Sequence, residues 1–120
     1  MIRILWVLIS VSFVLVACAD QSVQQASASY KKNHDYASLE RIVAHLNKGM
    51  KREKVENLLG EPDYSPTEGQ YYYSSDRREA IEGTDQGTRE VSVGLVVEYR
   101  DKNENLTNEL QEFQLGAIGE

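Results

Sequence analysis

Five apolar residues, Val91, Val93, Leu95, Val97 and Tyr99, occupy every second position of one run. That alternation is the period of a strand with one buried side. The intervening Ser92, Gly94, Val96, Glu98 and Arg100 leave the other side mostly polar, the pattern of an antiparallel sheet covered on one face. Such a sheet needs partner strands and a covering layer. Gln70-Tyr71-Tyr72-Tyr73-Ser74 supplies a short aromatic strand. Residues 106–115 return as a third strand after the turn residues Asp101-Lys102-Asn103-Glu104-Asn105. There Leu106 and Leu110 are in phase, while Phe113 and Leu115 are not. A β-bulge near Gln111-Glu112 would bring all four to the core. Residues 76–90, charged and carrying Gly83 and Gly87, read either as a mobile loop or as the outer end of a long hairpin.

Two short helices can form the cover. In the first, Leu39, Ile42, Val43 and Leu46 fall at i, i+3, i+4 and i+7. Its N-cap is Asp35 or Ser38. The second lies between Gly49-Met50 and Gly60-Glu61-Pro62, with Val55, Leu58 and Leu59 on one face. Gly60 can close it with a positive φ, and Pro62 prevents it from resuming. With Lys51 as N-cap, Met50 and Val55 take the N′ and N4 places of a hydrophobic staple. Lys51 offers no side-chain acceptor, and Lys51 and Arg52 face the positive end of the helix dipole, so this start should fray. Both helices are shorter than the ~12–15 residues that are marginal alone, so they depend on the sheet.

This run resembles the core motif of the SmpA/OmlA family of bacterial envelope lipoproteins. The shared signature is Gly49-Met50, Val55, Leu58-Leu59 and Gly60-Glu61-Pro62, followed by the aromatic pair Tyr71 and Tyr73. The likeness covers roughly residues 39–115. It implies an α+β domain with two helices on one face of a three-stranded antiparallel sheet. It also implies a non-catalytic role in outer-membrane assembly or maintenance. The same unit resembles the repeat of β-lactamase-inhibitor proteins, which implies the alternative of a periplasmic inhibitor or immunity-like module that binds an enzyme cleft.

The N-terminus fits an envelope destination. Arg3 gives a positive start, and residues 4–16 are a nearly continuous apolar run, too short to span a bilayer comfortably. The run ends in Leu15-Val16-Ala17-Cys18, the form of a bacterial lipobox. Residues 1–17 are therefore expected to be a lipoprotein signal peptide, and Cys18 the lipid attachment site. Cys18 is the only cysteine, so no intrachain disulfide can form. Two or three acyl chains on Cys18 would hold the protein stably. Residues 18–34 are polar and poor in large apolar groups and read as a flexible tether, leaving residues 35–120 as the domain. Ala19, rather than Asp, follows the cysteine. The expected place is the periplasmic face of the outer membrane, with the outer face of the inner membrane as the alternative.

Net charge narrows the partners. It is −6, and −7 once Arg3 is removed with the leader. An acidic chain is a poor ligand for nucleic acid, and it gains nothing from anionic head groups. The expected partners are the membrane, through the lipid, and an envelope protein. No catalytic set, cofactor, metal or small-molecule substrate is expected. His34 and His45 have no ligand spacing around them. Ser74-Ser75-Asp76 lacks a neighbouring His and the glycines of a nucleophile elbow. Asp101, Asn103, Asn105 and Glu112 match positions one, three, five and twelve of a calcium loop, but the sixth position is Leu106 where a glycine should turn. A hairpin turn explains the same residues. Tyr72, placed by alternation on the face away from Tyr71 and Tyr73, is the candidate contact residue, with Arg77 and Arg78 close in sequence.

Overall fold

A computed structural model describes residues 14–83 and 87–118. The elements are α1 (Val14–Asn33), α2 (Tyr36–Val43), α3 (Arg52–Leu59), β1 (Tyr64–Thr67), β2 (Gln70–Gly83), β3 (Gly87–Glu98) and β4 (Glu112–Ile118). The strands form one antiparallel sheet in the order β1-β2-β3-β4. The fold is α+β, as the sequence indicates, but the described residues form three helices and four strands instead of two and three.

The register carries out the alternation. Tyr73, Leu95 and Leu115 are cross-strand partners, as are Tyr71, Val97 and Phe113. This face packs under the helices, where Leu39, Ile42, Val55, Leu58 and Leu59 join Tyr73, Leu95 and Val97 in one buried cluster. Burying such side chains contributes about 1.5–3 kcal/mol each, enough to hold eight-residue helices that would melt alone.

The third helix corrects the tether. Val23, Ala26, Ser27 and Tyr30 are buried at i, i+3, i+4 and i+7 on α1. Ser22, Gln24 and Gln25, also on α1, are exposed. The average polarity of residues 18–34 hides this stripe, because its members are mostly small and its anchoring residue is a tyrosine. Small residues allow close approach: Ser27 Oγ donates to Leu58 O at 2.7 Å, at the end of α3. Tyr30 OH donates to Ser74 O at 2.6 Å. The folded unit therefore begins by Val23 and not at residue 35. Of the expected leader, residues 1–13 lie outside the described residues, and Cys18 falls within α1.

Local chemistry sets the ends of the short helices. Asp35 is the N-cap of α2, and its Oδ2 accepts from Ser38 N at 3.1 Å and Ser38 Oγ at 2.6 Å. Lys51 caps α3 with no side-chain bond. The fraying expected there is countered from outside the helix: Arg52 N donates to Asn108 O at 2.8 Å. Gly60 has φ 79° and ψ −154°, an extended positive-φ state outside the left-handed helical well, which only glycine takes easily. Met50 is half-buried against the core cluster to which Val55 belongs.

The additional strand is β1. It is an edge strand, which is why Pro66 is tolerated. The 76–90 tract resolves in favour of the hairpin, paired down to Gly83 opposite Gly87. Between Ser74 and Arg78 the register shifts, so that three β2 residues oppose Val93 alone. The bulge carries Asp76 to the α1–α2 junction, where its N–H donates to His34 O and its Oδ1 accepts from Tyr36 N, each at 2.9 Å. The phase break near Gln111 is real, but it is a change of partner and not a bulge in a long strand. Leu110 N donates to Met50 O and Gln111 N to Glu98 O before β4 begins. Leu106 is consequently not in the core: it is 48% exposed and lies over Gly69.

Candidate functional site

The sheet face turned away from the helices is uncovered. One row crosses all four strands: Tyr64 opposite Tyr72, Tyr72 opposite Val96, and Val96 opposite Gln114. Tyr64 and Tyr72 meet edge to face at 5.6 Å between ring centroids. Tyr64 is 49% exposed, so the row presents an aromatic edge beside a partly exposed valine. The next row is polar: Gln70, Glu98 and Glu112 are cross-strand partners. Arg100 Nε pairs with Glu98 Oε1 at 2.6 Å, and Lys48 Nζ with Glu112 Oε1 at 3.6 Å. The Glu98 carboxylate raises the Arg100 guanidinium pKa above its ordinary value. Tyr72, Val96, Glu98, Arg100 and Gln114 line an open groove of about 950 Å³. Apolar and aromatic surface beside a polar rim suits a protein contact.

Tyr72 lies in this groove, but Arg77 and Arg78 do not join it in one patch. Arg78 pairs with Ser92 on the same face, four β3 residues from the Val96 partner of Tyr72, or about 13 Å along the strand. Arg77 falls in the bulge, with its guanidinium over the Tyr36 ring of α2 at 4.7 Å. The bulge separates the pair, and nothing in the strand pattern announces it. The sequence reading also missed Tyr64, which is masked by the neighbouring Pro62 and Pro66. Only its position two residues past a helix-closing proline could have pointed to an edge strand.

A second polar cluster lies near the α1–α2 junction. Ser74 Oγ donates to Asp63 Oδ2 at 3.0 Å, and His34 Nδ1 stands 3.7 Å from Asp63 Oδ1. His34 also stacks on Tyr30 with centroids 4.8 Å apart. Serine thus does have a histidine nearby in space. However, the carboxylate sits between them, whereas nucleophile activation needs the imidazole in the middle. The cluster ties the start of the sheet to α1. His45 is exposed. In the 101–105 turn, Asp101 Oδ1 is taken up by Asn103 N at 2.8 Å and Asn105 N at 3.0 Å. Those bonds close a turn on one carboxylate oxygen of Asp101. Among the described residues no group of three His, Cys, Asp or Glu side chains could hold a metal ion, and no helix is long and apolar enough to cross a membrane.

No family model, curated protein or solved structure matches this chain.

Proposed function

We propose that this chain is a non-catalytic envelope binding module, anchored by lipid on Cys18, that presents its free sheet face to a protein partner in outer-membrane assembly or maintenance. The observation that carries the reading is the uncovered row Tyr64–Tyr72–Val96–Gln114 on a sheet whose other face packs under the helices at Tyr73, Leu95 and Val97. The lipobox residues Leu15-Val16-Ala17-Cys18 support the anchor, and the likeness of the Gly49–Pro62 motif to SmpA/OmlA lipoproteins supports the envelope role. The outer membrane is the favoured location, and the outer face of the inner membrane the alternative. A photo-crosslinking residue at position 114, activated in intact cells, tests this reading. Discrete adducts with one or two membrane proteins are expected. A smear without discrete species, or unprocessed protein that ignores Cys18→Ser, would overturn it.

One feature favours the inhibitor alternative. Among the described residues the β2–β3 hairpin runs past its neighbours: β1 pairs as far as Tyr72 and β4 as far as Ser92. Residues 78–83 and 87–91 therefore form a two-stranded arm that could enter a cleft. Crosslinks from position 80 to a soluble hydrolase, with none from position 114, would select this reading.

A further inference from the structure

We infer that α1 is a rigid standoff, not a leash, and that the lipid leaflet is itself a surface the folded domain rests against. The inference depends on lipidation at Cys18 and deepens that reading. α1 is held along its packed length. Ser27 bonds to the end of α3 and Tyr30 to β2. Ser29 Oγ donates to Asp35 Oδ1 at 2.9 Å, joining α1 to the cap of α2. Asp76 of the bulge then closes the junction through His34 O and Tyr36 N. Freeing residues 23–33 as a tether would uncover Val23, Ala26 and Tyr30 and break these bonds.

Only residues 19–22 separate Cys18 from the buried Val23. The α1 backbone is helical across that interval. Five helical steps from Cys18 to Val23 rise about 7.5 Å, and even full extension gives only about 17 Å. A polar headgroup layer is about 6 Å deep. A flexible 16-residue linker would instead place the domain about 22 Å away on average. The packed helix thus brings the domain against the headgroups. The net charge of the processed chain, −7, gives no electrostatic attraction to anionic lipid, so proximity comes from the short spacer.

The test compares the full chain with a variant carrying sixteen Gly/Ser residues inserted between Gln21 and Ser22. Both are expressed in cells fed an alkyne fatty acid, so lipidation is read separately. Each is purified and reconstituted in 3:1 phosphatidylethanolamine:phosphatidylglycerol vesicles doped with a headgroup-photoactivatable phospholipid. The unmodified chain is expected to label on its folded domain, and the insertion to cut that labelling at least fivefold with equal lipidation. Hydrogen exchange on the same vesicles should protect residues 23–33 as strongly as α2. Equal labelling in the two proteins, or coil-like exchange in residues 23–33, overturns the standoff. Failure to incorporate fatty acid at Cys18 overturns the anchor itself, and the standoff with it.

Discussion

Three tyrosines show how one residue type serves different ends. Tyr30, Tyr73 and Tyr99 are all buried, yet only Tyr30 OH has an acceptor, Ser74 O at 2.6 Å. Tyr73 and Tyr99 hydroxyls have no partner among the described residues. Tyr30→Phe should therefore cost about 1 kcal/mol by leaving a carbonyl unpaired, while Tyr99→Phe should be neutral or stabilising. Urea titrations of the two variants check the contrast. Burial pushes all three phenols far above their ordinary value. The folded state then keeps protons that the unfolded state releases above about pH 10, so stability should fall as pH rises past that point. Replacing Tyr73 by Phe should flatten that alkaline limb. Asp35 works in the opposite direction. The Ser38 hydroxyl holds its carboxyl below the usual range. The stability it contributes is present above about pH 4 and lost as pH falls through the lowered value. Asp35→Ala should cost about 1 kcal/mol at neutral pH and less in acid.

Beside the bulge, β2 and β3 approach too closely at Gly94 to admit a side chain. A Cβ on Gly94 would overlap the carbonyl oxygen of Tyr73 and crowd Ile118 Cδ1. Gly94→Ala should thus destabilise by about 1–3 kcal/mol, whereas Gly116→Ala on the adjacent strand meets open space and should be nearly silent. Thermal denaturation of the pair checks this. The elements legible beforehand were those with a long or sharply bounded pattern: the β3 alternation and the Gly49–Pro62 helix. What escaped was held by chemistry the pattern does not carry. The α1 stripe is built from Val23, Ala26, Ser27 and Tyr30, only one of which is a large aliphatic residue. β1 is four residues long with no buried side chain, and survives by pairing with β2. The exposure of Leu106 follows from Leu110 bonding to Met50, a contact between segments sixty residues apart that no local window reports.

At the scale of the molecule, the two faces of the sheet differ: one packs under the helices and stabilises the fold, and the other is uncovered. The sequence marked Tyr72 for the free face because alternation needs only period two. It grouped Arg77 and Arg78 with Tyr72 because proximity in sequence was the only available measure, and the bulge then sent Arg77 to Tyr36. Adjacent valines on β3 make the division testable. Val97 is buried between Tyr71 and Phe113, while Val96 sits between Tyr72 and Gln114 in the open groove. Val97→Lys forces an unpaired cation into the core and should cost at least about 4 kcal/mol, enough to unfold a small domain. Val96→Lys can extend its ammonium into water and should stay within about 1 kcal/mol of the parent. If the free face is the contact surface, Val96→Lys should still be abundant and folded in the membrane yet lose its discrete crosslinked adducts by tenfold or more. Retention of those adducts at parental yield would show that Val96 takes no part in the contact made beside position 114, whereas loss of every adduct from position 114 together with adducts from position 80 would make the projecting hairpin arm the surface.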